Sequence, residues 1–336
     1  MKKALVTGGA GFIGSFFVKV WLKEDSRISI VNLDKLTYSG DLSRLSELQG
    51  NSRHSFIKGD ICDPKTVRKA MQGCDGVVHL AAESHVDRSL LDAKAFFDSN
   101  VYGTYVLLEE ARRAGVERFV LVSTDEVYGS RSGEGHFKEK DILNPSSPYS
   151  VSKAAADLLA LSYVGTHHLP VLVTRGANTY GPYQYPEKVI PLFTTNALTG
   201  QKLPLYGDGR QIRNWLYVED HCRGILHALK KGKTGEVYNI SSKTELENID
   251  LTKKLLKILD KPENLIHHVT DRLGHDRRYA IDSSKLRSLG WSEKAKFDTA
   301  FRDTLLWYCR NEKWWKAIKE KQEGFTKFYK KAYAGR

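Results

Sequence analysis

The chain alternates short, continuous apolar runs with longer stretches in which apolar residues recur every three or four positions. "KKALVTGGAGFIGSFFVKVWLKE" (2–24) reads as a strand, a glycine turn and a helix. Further strands are expected at "ISIVNLDKL" (28–36), "HSFIKGDI" (54–61), "GVVHLAA" (76–82), "RFVLVST" (118–124) and "PVLVTRGAN" (170–178). A short helix is expected around 42–48, and long ones over "FFDSNVYGTYVLLEEARRAG" (96–115) and "PYSVSKAAADLLALSYVGTH" (148–167). The strands are apolar throughout rather than at alternate positions. That pattern belongs to a parallel sheet covered by helices on both faces, a doubly wound α/β fold.

After Asn178 the pattern breaks. "TYGPYQYPEKVIP" is rich in Pro and Tyr, and "LPLYGDGRQIRNW" mixes turn residues with aromatics. One more strand is expected at "VYNI" (237–240), a helix at "DLTKKLLKILDK" (250–261) and a polar loop at "DRLGHDRRYAID" (271–282). The expected division is a Rossmann-type domain of residues 1–177 plus about 212–243, and a smaller, discontinuous domain of 178–211 and 244–336.

Composition narrows the class. The 336 residues are 41% hydrophobic and 27% charged, a globular mix, and no apolar run reaches the roughly 18 residues of a membrane span. The glycine pair in "MKKALVTGG" interrupts the first apolar run too early for a signal peptide, so a cytoplasmic protein is expected. The net charge of +12 is scattered, apart from the tail "KFYKKAYAGR", which argues against nucleic acid and for solvated or ion-paired surface lysines. Cys62, Cys74, Cys222 and Cys309 form no CxxC pair, and the histidines lack metal spacing, so neither a metal nor a disulfide is expected.

Three features carry chemistry. Gly8, Gly11 and Gly14 form GxxGxxG between a strand and a helix, where backbone amides can approach a pyrophosphate at the helix N-terminus. The next strand ends at Asp34, whose carboxylate can accept from both ribose hydroxyls and would repel a 2′-phosphate; NAD is favoured over NADP. Asp60 ends the third strand, within reach of an adenine edge. Tyr149 and Lys153 share one helix face. An unperturbed phenol, with a pKa of roughly 10, is a poor base at neutral pH, and a nearby ammonium and an oxidised nicotinamide are expected to lower it. Thr124, Asp125 and Glu126 end a buried strand. Neighbouring side chains point to opposite faces of a strand, so both carboxylates can face one cleft only if the strand has ended by Thr124. A simple ketoreductase needs a tyrosine, a lysine and a hydroxyl; the added carboxylate pair calls for a second reaction.

Together these motifs resemble the extended short-chain dehydrogenase/reductase family over nearly the whole chain. "DKLTYSG" (34–40), "LAAESHVDRS" (80–89), "STDEVYG" (123–129), "YGPYQYPEKVIP" (180–191) and "YVEDH" (217–221) narrow the resemblance to the dTDP-glucose 4,6-dehydratases. The resemblance implies bound NAD and a nucleoside diphosphate sugar, with dTDP-glucose favoured. It implies oxidation at sugar carbon 4 with Tyr149 as base, and removal of the carbon 5 proton by Glu126. Asp125 then protonates the carbon 6 hydroxyl as it leaves, and the electrons return from the cofactor to carbon 6.

The implied cofactor site takes in Phe12 and Ile13 beside the glycines, Lys35, Leu36 and Thr37 after Asp34, and Ile61 after Asp60. It continues through Leu80, Ala81, Ala82, Ser84 and Ser99 to Thr179, Tyr149 and Lys153. The implied substrate site takes in Ser84, Thr124, Asn178, Lys188 and Val189. Pro204 and Tyr206 line its base pocket, and Arg213, Asn248, Arg272 and His275 complete it.

This chain departs from the family pattern. "TRGANTYGP" stands for the more usual "TRCSNNYGP", and Leu273 for a proline. A related nucleotide-sugar epimerase or decarboxylase, acting on a UDP- or CDP-sugar, and a non-catalytic NAD-binding subunit are the alternatives. The helices at 96–114 and 150–165 are apolar on more than one face, which predicts a homodimer.

Overall fold

The structure, a computed structural model, describes residues 1–131, 133–321, 325, 327 and 329; most of the basic tail lies outside them. The described residues form twelve strands: β1 (Lys3–Thr7), β2 (Ser29–Asp34), β3 (His54–Lys58), β4 (Gly76–His79), β5 (Arg118–Thr124), β6 (Val171–Gly176), β7 (Asn178–Tyr180), β8 (Leu203–Tyr206), β9 (Ile212–Tyr217), β10 (Val237–Ile240), β11 (Glu245–Glu247) and β12 (Ile266–Val269). Seven form one parallel sheet in the order β10-β6-β5-β4-β1-β2-β3. The direction of winding reverses between β1 and β4. The crevice beyond their carboxyl ends is where such sheets bind ligands.

The first helices are α1 (Phe12–Glu24), α2 (Pro64–Met71), α3 (Val86–Leu91), α4 (Lys94–Phe96), α5 (Gly103–Ala114) and α6 (Pro148–His167). Then come α7 (Val189–Leu198), α8 (Val218–Lys231), α9 (Asn248–Ile258), α10 (Ser284–Ser288), α11 (Phe297–Arg310) and α12 (Glu312–Lys321). Helices α1 and α8 cover one face of the large sheet; α2, α5 and α6 cover the other. Strand β5 feeds both layers: Val120 and Val122 pack toward α1 and α8, Phe119 and Leu121 toward α5 and α6. This two-sided burial is why its sequence is apolar without alternation. A third cluster, built around Tyr180, Trp215, Leu251 and Phe301, holds the mixed sheet β11-β9-β7 and the parallel pair β12-β8 with α7, α9 and α11.

Two expectations change. The helix expected over 96–115 is interrupted by a π-helical turn, Phe97–Tyr102. The widened turn brings in Asn100, whose Nδ2 donates to Ser152 Oγ at 2.9 Å and to the Glu83 carbonyl at 3.0 Å. Segment 271–282 is a loop but not a wholly polar one. Tyr279, Ala280 and Ile281 are buried, and Arg278 and Ile281 make isolated bridges to Ile212 and Phe137.

Candidate active site

Strand β5 ends at Thr124, and residues 125–128 turn at once into a 3₁₀ helix. The Thr124 hydroxyl caps that turn by accepting from the Glu126 amide at 3.3 Å. Gly129 closes it at φ +74, where an added Cβ would meet the Asn144 carbonyl at 2.1 Å. The turn brings both Asp125 and Glu126 to the wall of one cavity, which answers how adjacent carboxylates come to share a cleft. The opposite wall is α6. Ser147 and Ser150 form a reciprocal capping box at its start and fix the first turn, so Tyr149 and Lys153 face the same cavity.

The cavity, about 300 Å³, runs from the glycine turn to the carboxylates. Gly8, Gly11, Phe12, Ile13, Gly14, Asp34, Lys35 and Thr37 line one end. Asp60, Ile61, Leu80, Ala81, Ala82, Ser84 and Ser99 line the cavity as well. Thr124, Asn178, Thr179 and Lys188 also belong to its lining, with Asp125 and Glu126. Leu36 is held at φ +56 by Asp34, whose Oδ1 accepts its amide at 2.8 Å.

The residues suit a dinucleotide. An added Cβ would meet the Ala81 amide nitrogen at 2.6 Å at Gly8 and the Gly8 carbonyl at 2.1 Å at Gly14, so backbone fills the space a side chain would need. Helix α1 follows Gly11, a cap without a side-chain hydrogen bond, and its first turn carries no acid. Its first amides are free for a phosphate. Asp34 Oδ2 accepts the Ala10 amide at 2.9 Å, leaving lone pairs toward the cavity. Asp60 pairs with Lys35 at 2.6 Å, which holds its carboxyl below the usual range.

Burial, reinforced by the Glu126 charge, pushes the Asp125 carboxyl up to about 8. Its Oδ2 is buried and has no hydrogen-bond partner among the described residues. Burial also pushes Glu126 up, against the positive charges of Arg272, Lys188 and Arg213. Glu126 keeps some exposure toward the cavity. Tyr149 departs from expectation. Its phenol is raised well above its ordinary value, first by burial and then by Glu126. Lys153 Nζ donates to the Val122 carbonyl at 2.8 Å, and its own pKa is lowered to about 8 by burial. The protein alone therefore keeps the phenol protonated.

Of the predicted substrate residues, Asn178 and Lys188 line the cavity with Glu126, Arg213 and Arg272 act on Glu126 from outside that lining, and Val189, Pro204, Tyr206, Asn248 and His275 lie outside it. Arg213 stacks on Tyr279 at 4.2 Å, and the Tyr279 hydroxyl donates to Asp276 at 2.7 Å and lies 3.4 Å from Glu126. Arg272 meets Asp87 at 3.4 Å, and the Tyr206 hydroxyl donates to the same carboxylate at 3.1 Å. His275 packs edge-on to Tyr206 and pairs with Asp271 at 2.5 Å. Lys188 Nζ donates to the Ser84 carbonyl at 2.7 Å. Val189 begins α7, Pro204 lies in β8 and Asn248 begins α9. The Asn178 and Asn248 side-chain carbonyls and Arg272 Nε are buried with no partner among the described residues, as groups awaiting a polar ligand are.

Sequence reasoning gave no role to Tyr279, Asp276 or His221. The first two lie in the segment read as a polar loop, where the apolar pair after Tyr279 was the available signal. His221 lies under Gly176, where an added Cβ would meet its ring at 2.4 Å, and it bonds Thr179 at 2.7 Å. The smaller residue at 176 and the hydroxyl at 179, both departures from the family pattern, thus accommodate one imidazole.

The family model for GDP-mannose 4,6 dehydratase matches residues 5–304. A dTDP-glucose 4,6-dehydratase of Streptomyces niveus is 48% identical over 96% of this chain and 97% of its own length. One from Escherichia coli is 45% identical over 94% and 96%. The crystal structure of DesIV, a dTDP-glucose 4,6-dehydratase from Streptomyces venezuelae with NAD and TYD bound, matches at TM-score 0.92 and 46% identity, covering 94% of this chain and 99% of that one. The chain belongs to the GDP-mannose 4,6 dehydratase family of short-chain dehydrogenase/reductases.

Proposed function

We propose that the protein is a dTDP-glucose 4,6-dehydratase, which converts dTDP-glucose to dTDP-4-keto-6-deoxyglucose and water with NAD as a resident cofactor. The observation that carries the reading is Asp125: a carboxyl with its pKa pushed up to about 8 is still a proton donor at neutral pH. It shares a cavity with Tyr149 and Lys153. Bound NAD supplies a reversible acceptor for two electrons from carbon 4, and its positive ring lowers the phenol that burial has raised.

The other steps belong to the chain's own groups. Tyr149 takes the proton of the carbon 4 hydroxyl, and Thr124 orients that hydroxyl. The new ketone acidifies carbon 5, whose proton Glu126 accepts. Asp125 protonates the oxygen on carbon 6, which leaves as water. Glu126 then returns its proton to carbon 5. Over one turnover Tyr149 gains the proton that Asp125 gives up, so resetting the site leaves no net proton gained or lost.

The glycine turn with Asp34, Lys35, Leu36, Thr37, Asp60 and Ile61 holds the adenosine diphosphate half of the cofactor. Leu80 to Ala82, Ser84, Ser99 and Thr179 border the other half. Arg213, Arg272, Lys188, Asn178, Asn248 and His275 hold the sugar nucleotide, with Pro204 and Tyr206 at its base. All of these but Arg213 fall in the smaller domain, 178–211 and 244–336; Arg213 falls in the 212–243 segment of the Rossmann-type domain. The protein works in the cytoplasm as a homodimer. An epimerase has no use for an acid at carbon 6, so Asp125 favours dehydration. The test is to incubate the purified protein with a panel of nucleoside diphosphate hexoses and follow loss of water by mass. Loss from dTDP-glucose is expected; turnover of UDP-glucose without mass change would replace this reading by epimerisation.

A further inference from the structure

One buried ion pair outside the cavity connects the two groups of catalytic side chains. Asp157 lies two helical turns after Tyr149 and one after Lys153 on α6, and it is fully buried. Its partner is Arg175 on β6, whose Nε donates to Asp157 Oδ2 at 2.9 Å. Arg175 sits in register with Ser123, one residue before the end of β5. Its Nη1 reaches the other way and donates to the Tyr128 hydroxyl at 2.7 Å, and the guanidinium lies over the Tyr128 ring at 4.8 Å.

Tyr128 is the last residue of the turn that carries Asp125 and Glu126. Its hydroxyl donates to Asn239 Oδ1 at 2.9 Å on β10, and its ring stacks on Phe137 at 5.1 Å. The guanidinium therefore touches the helix of Tyr149 and Lys153 on one side and the carboxylate turn on the other.

Burying such a pair is costly and gives little net stability compared with apolar residues of the same volume. Its value lies in geometry. The planar fork offers donors in fixed directions, so the two anchors are held at a fixed separation.

We infer that Arg175 is a positioning residue that fixes the carboxylate turn relative to the Tyr149–Lys153 helix, with Tyr128 as its turn-side anchor and Asp157 as its helix-side anchor. This rests on the proposed dehydratase reading. Oxidation at carbon 4 uses α6 and Thr124, which is held by β5 in register with Gly176 of β6; elimination across carbons 5 and 6 also uses the turn beyond it. Releasing the turn-side anchor alone should therefore damage elimination and spare oxidation.

The variant is Tyr128→Phe, which keeps the ring on Phe137 and removes only the hydroxyl. The NAD-loaded protein is mixed with dTDP-glucose. Near-ultraviolet absorbance of the reduced nicotinamide is followed beside formation of the keto-deoxy product and thermal unfolding. Misplacing reacting groups by about 1 Å costs on the order of 10²-fold in rate, so the variant should form product about 10- to 100-fold more slowly while reduced cofactor builds up. Arg175→Lys, which keeps charge but loses the fork, should show the same bias; Asp157→Asn should slow both half-reactions.

A purely structural role predicts a lower melting temperature with both half-reactions falling together, or no kinetic change. Either result in Tyr128→Phe overturns the inference while leaving the dehydratase reading intact. A parent protein that forms no product from dTDP-glucose overturns the reading and the coupling with it.

Discussion

Asp125 and Glu126 differ by one methylene, yet their surroundings differ enough that the proposed function gives them opposite tasks. Asp125 is buried beside a negative neighbour and holds its proton to about 8. Glu126 is raised by burial but faces three cations and the cavity. Asp125→Asn keeps the shape and loses the acidic proton; Glu126→Gln keeps the shape and loses the base. Each should lower product formation by about 10²–10⁴-fold, the usual worth of a general acid or base, while oxidation at carbon 4 continues and reduced nicotinamide accumulates. Tyr149→Phe should block oxidation and leave the cofactor oxidised. The pH dependence follows from the signs. A raised acid serves while protonated, so elimination falls as pH rises through about 8. A base must be ionised, and Glu126 is raised above its ordinary 4.5, so the acidic limb lies above that value. The Glu126 charge helps to raise Asp125, so Asp125→Asn should move the alkaline limb without abolishing the acidic one. A pH–rate profile unchanged by both substitutions would remove the carboxylates from the mechanism.

At the scale of elements, the glycine turn is the part of the site most constrained by backbone. Gly8 has φ +73, and a Cβ there would press on the Ala81 backbone, which no rotamer change can relieve. The parent should retain NAD through purification, because the cofactor is restored within each turnover. Gly8→Ala should purify without it at unchanged secondary structure, read by cofactor content after denaturation and by circular dichroism. Retention of NAD by the variant would mean that the turn relaxes around the new methyl.

The large sheet was legible in the sequence because its strands alternate with helices and all but the edge strand β3 are buried on both faces. Helix α6 was legible to the residue because a proline and a serine cap announce its start. Strands β7, β8 and β9 were not. They are three to six residues long, carry proline and mixed polarity, and owe their form to packing around Tyr180 and Trp215. The same holds for the site. GxxGxxG, YxxxK and the carboxylate pair are local patterns, whereas Tyr279 and Asp276 reach Glu126 only through a long loop folding back. The raised phenol of Tyr149 was not legible, because it comes from burial and from Glu126, which the helix spacing of Tyr149 and Lys153 does not report.

At the scale of the whole molecule, the π turn, α5 and α6 carry exposed apolar side chains among the described residues. Phe97, Tyr102 and Tyr105, on the π turn and α5, are 42%, 49% and 44% exposed, and Leu158 on α6 is 62% exposed. Val151, two turns before Leu158, is exposed on the same helix, whose inner face packs Ala156, Ala160 and Tyr163 into the core. A helix apolar on both sides needs burial on both. Contiguous exposed apolar groups of this kind mark association surfaces, whereas single ones are ordinary. A two-fold pairing of α5 and α6 with the same helices of a second copy would bury them all, since an isologous contact uses one patch twice. Light scattering at micromolar concentration should therefore give twice the 38.0 kDa chain mass. Leu158→Lys places a charge at the centre of that contact without touching the core, and should shift the mass toward that of one chain. Asp157, the neighbour of Leu158, anchors the arginine fork from the inner side of α6, so loss of the dimer should also loosen the helix that presents Tyr149 and Lys153. The Leu158→Lys monomer is expected to turn over more slowly than the dimer at equal cofactor content. A parent protein that scatters as a clean monomer would leave this face to solvent and detach oligomerisation from catalysis.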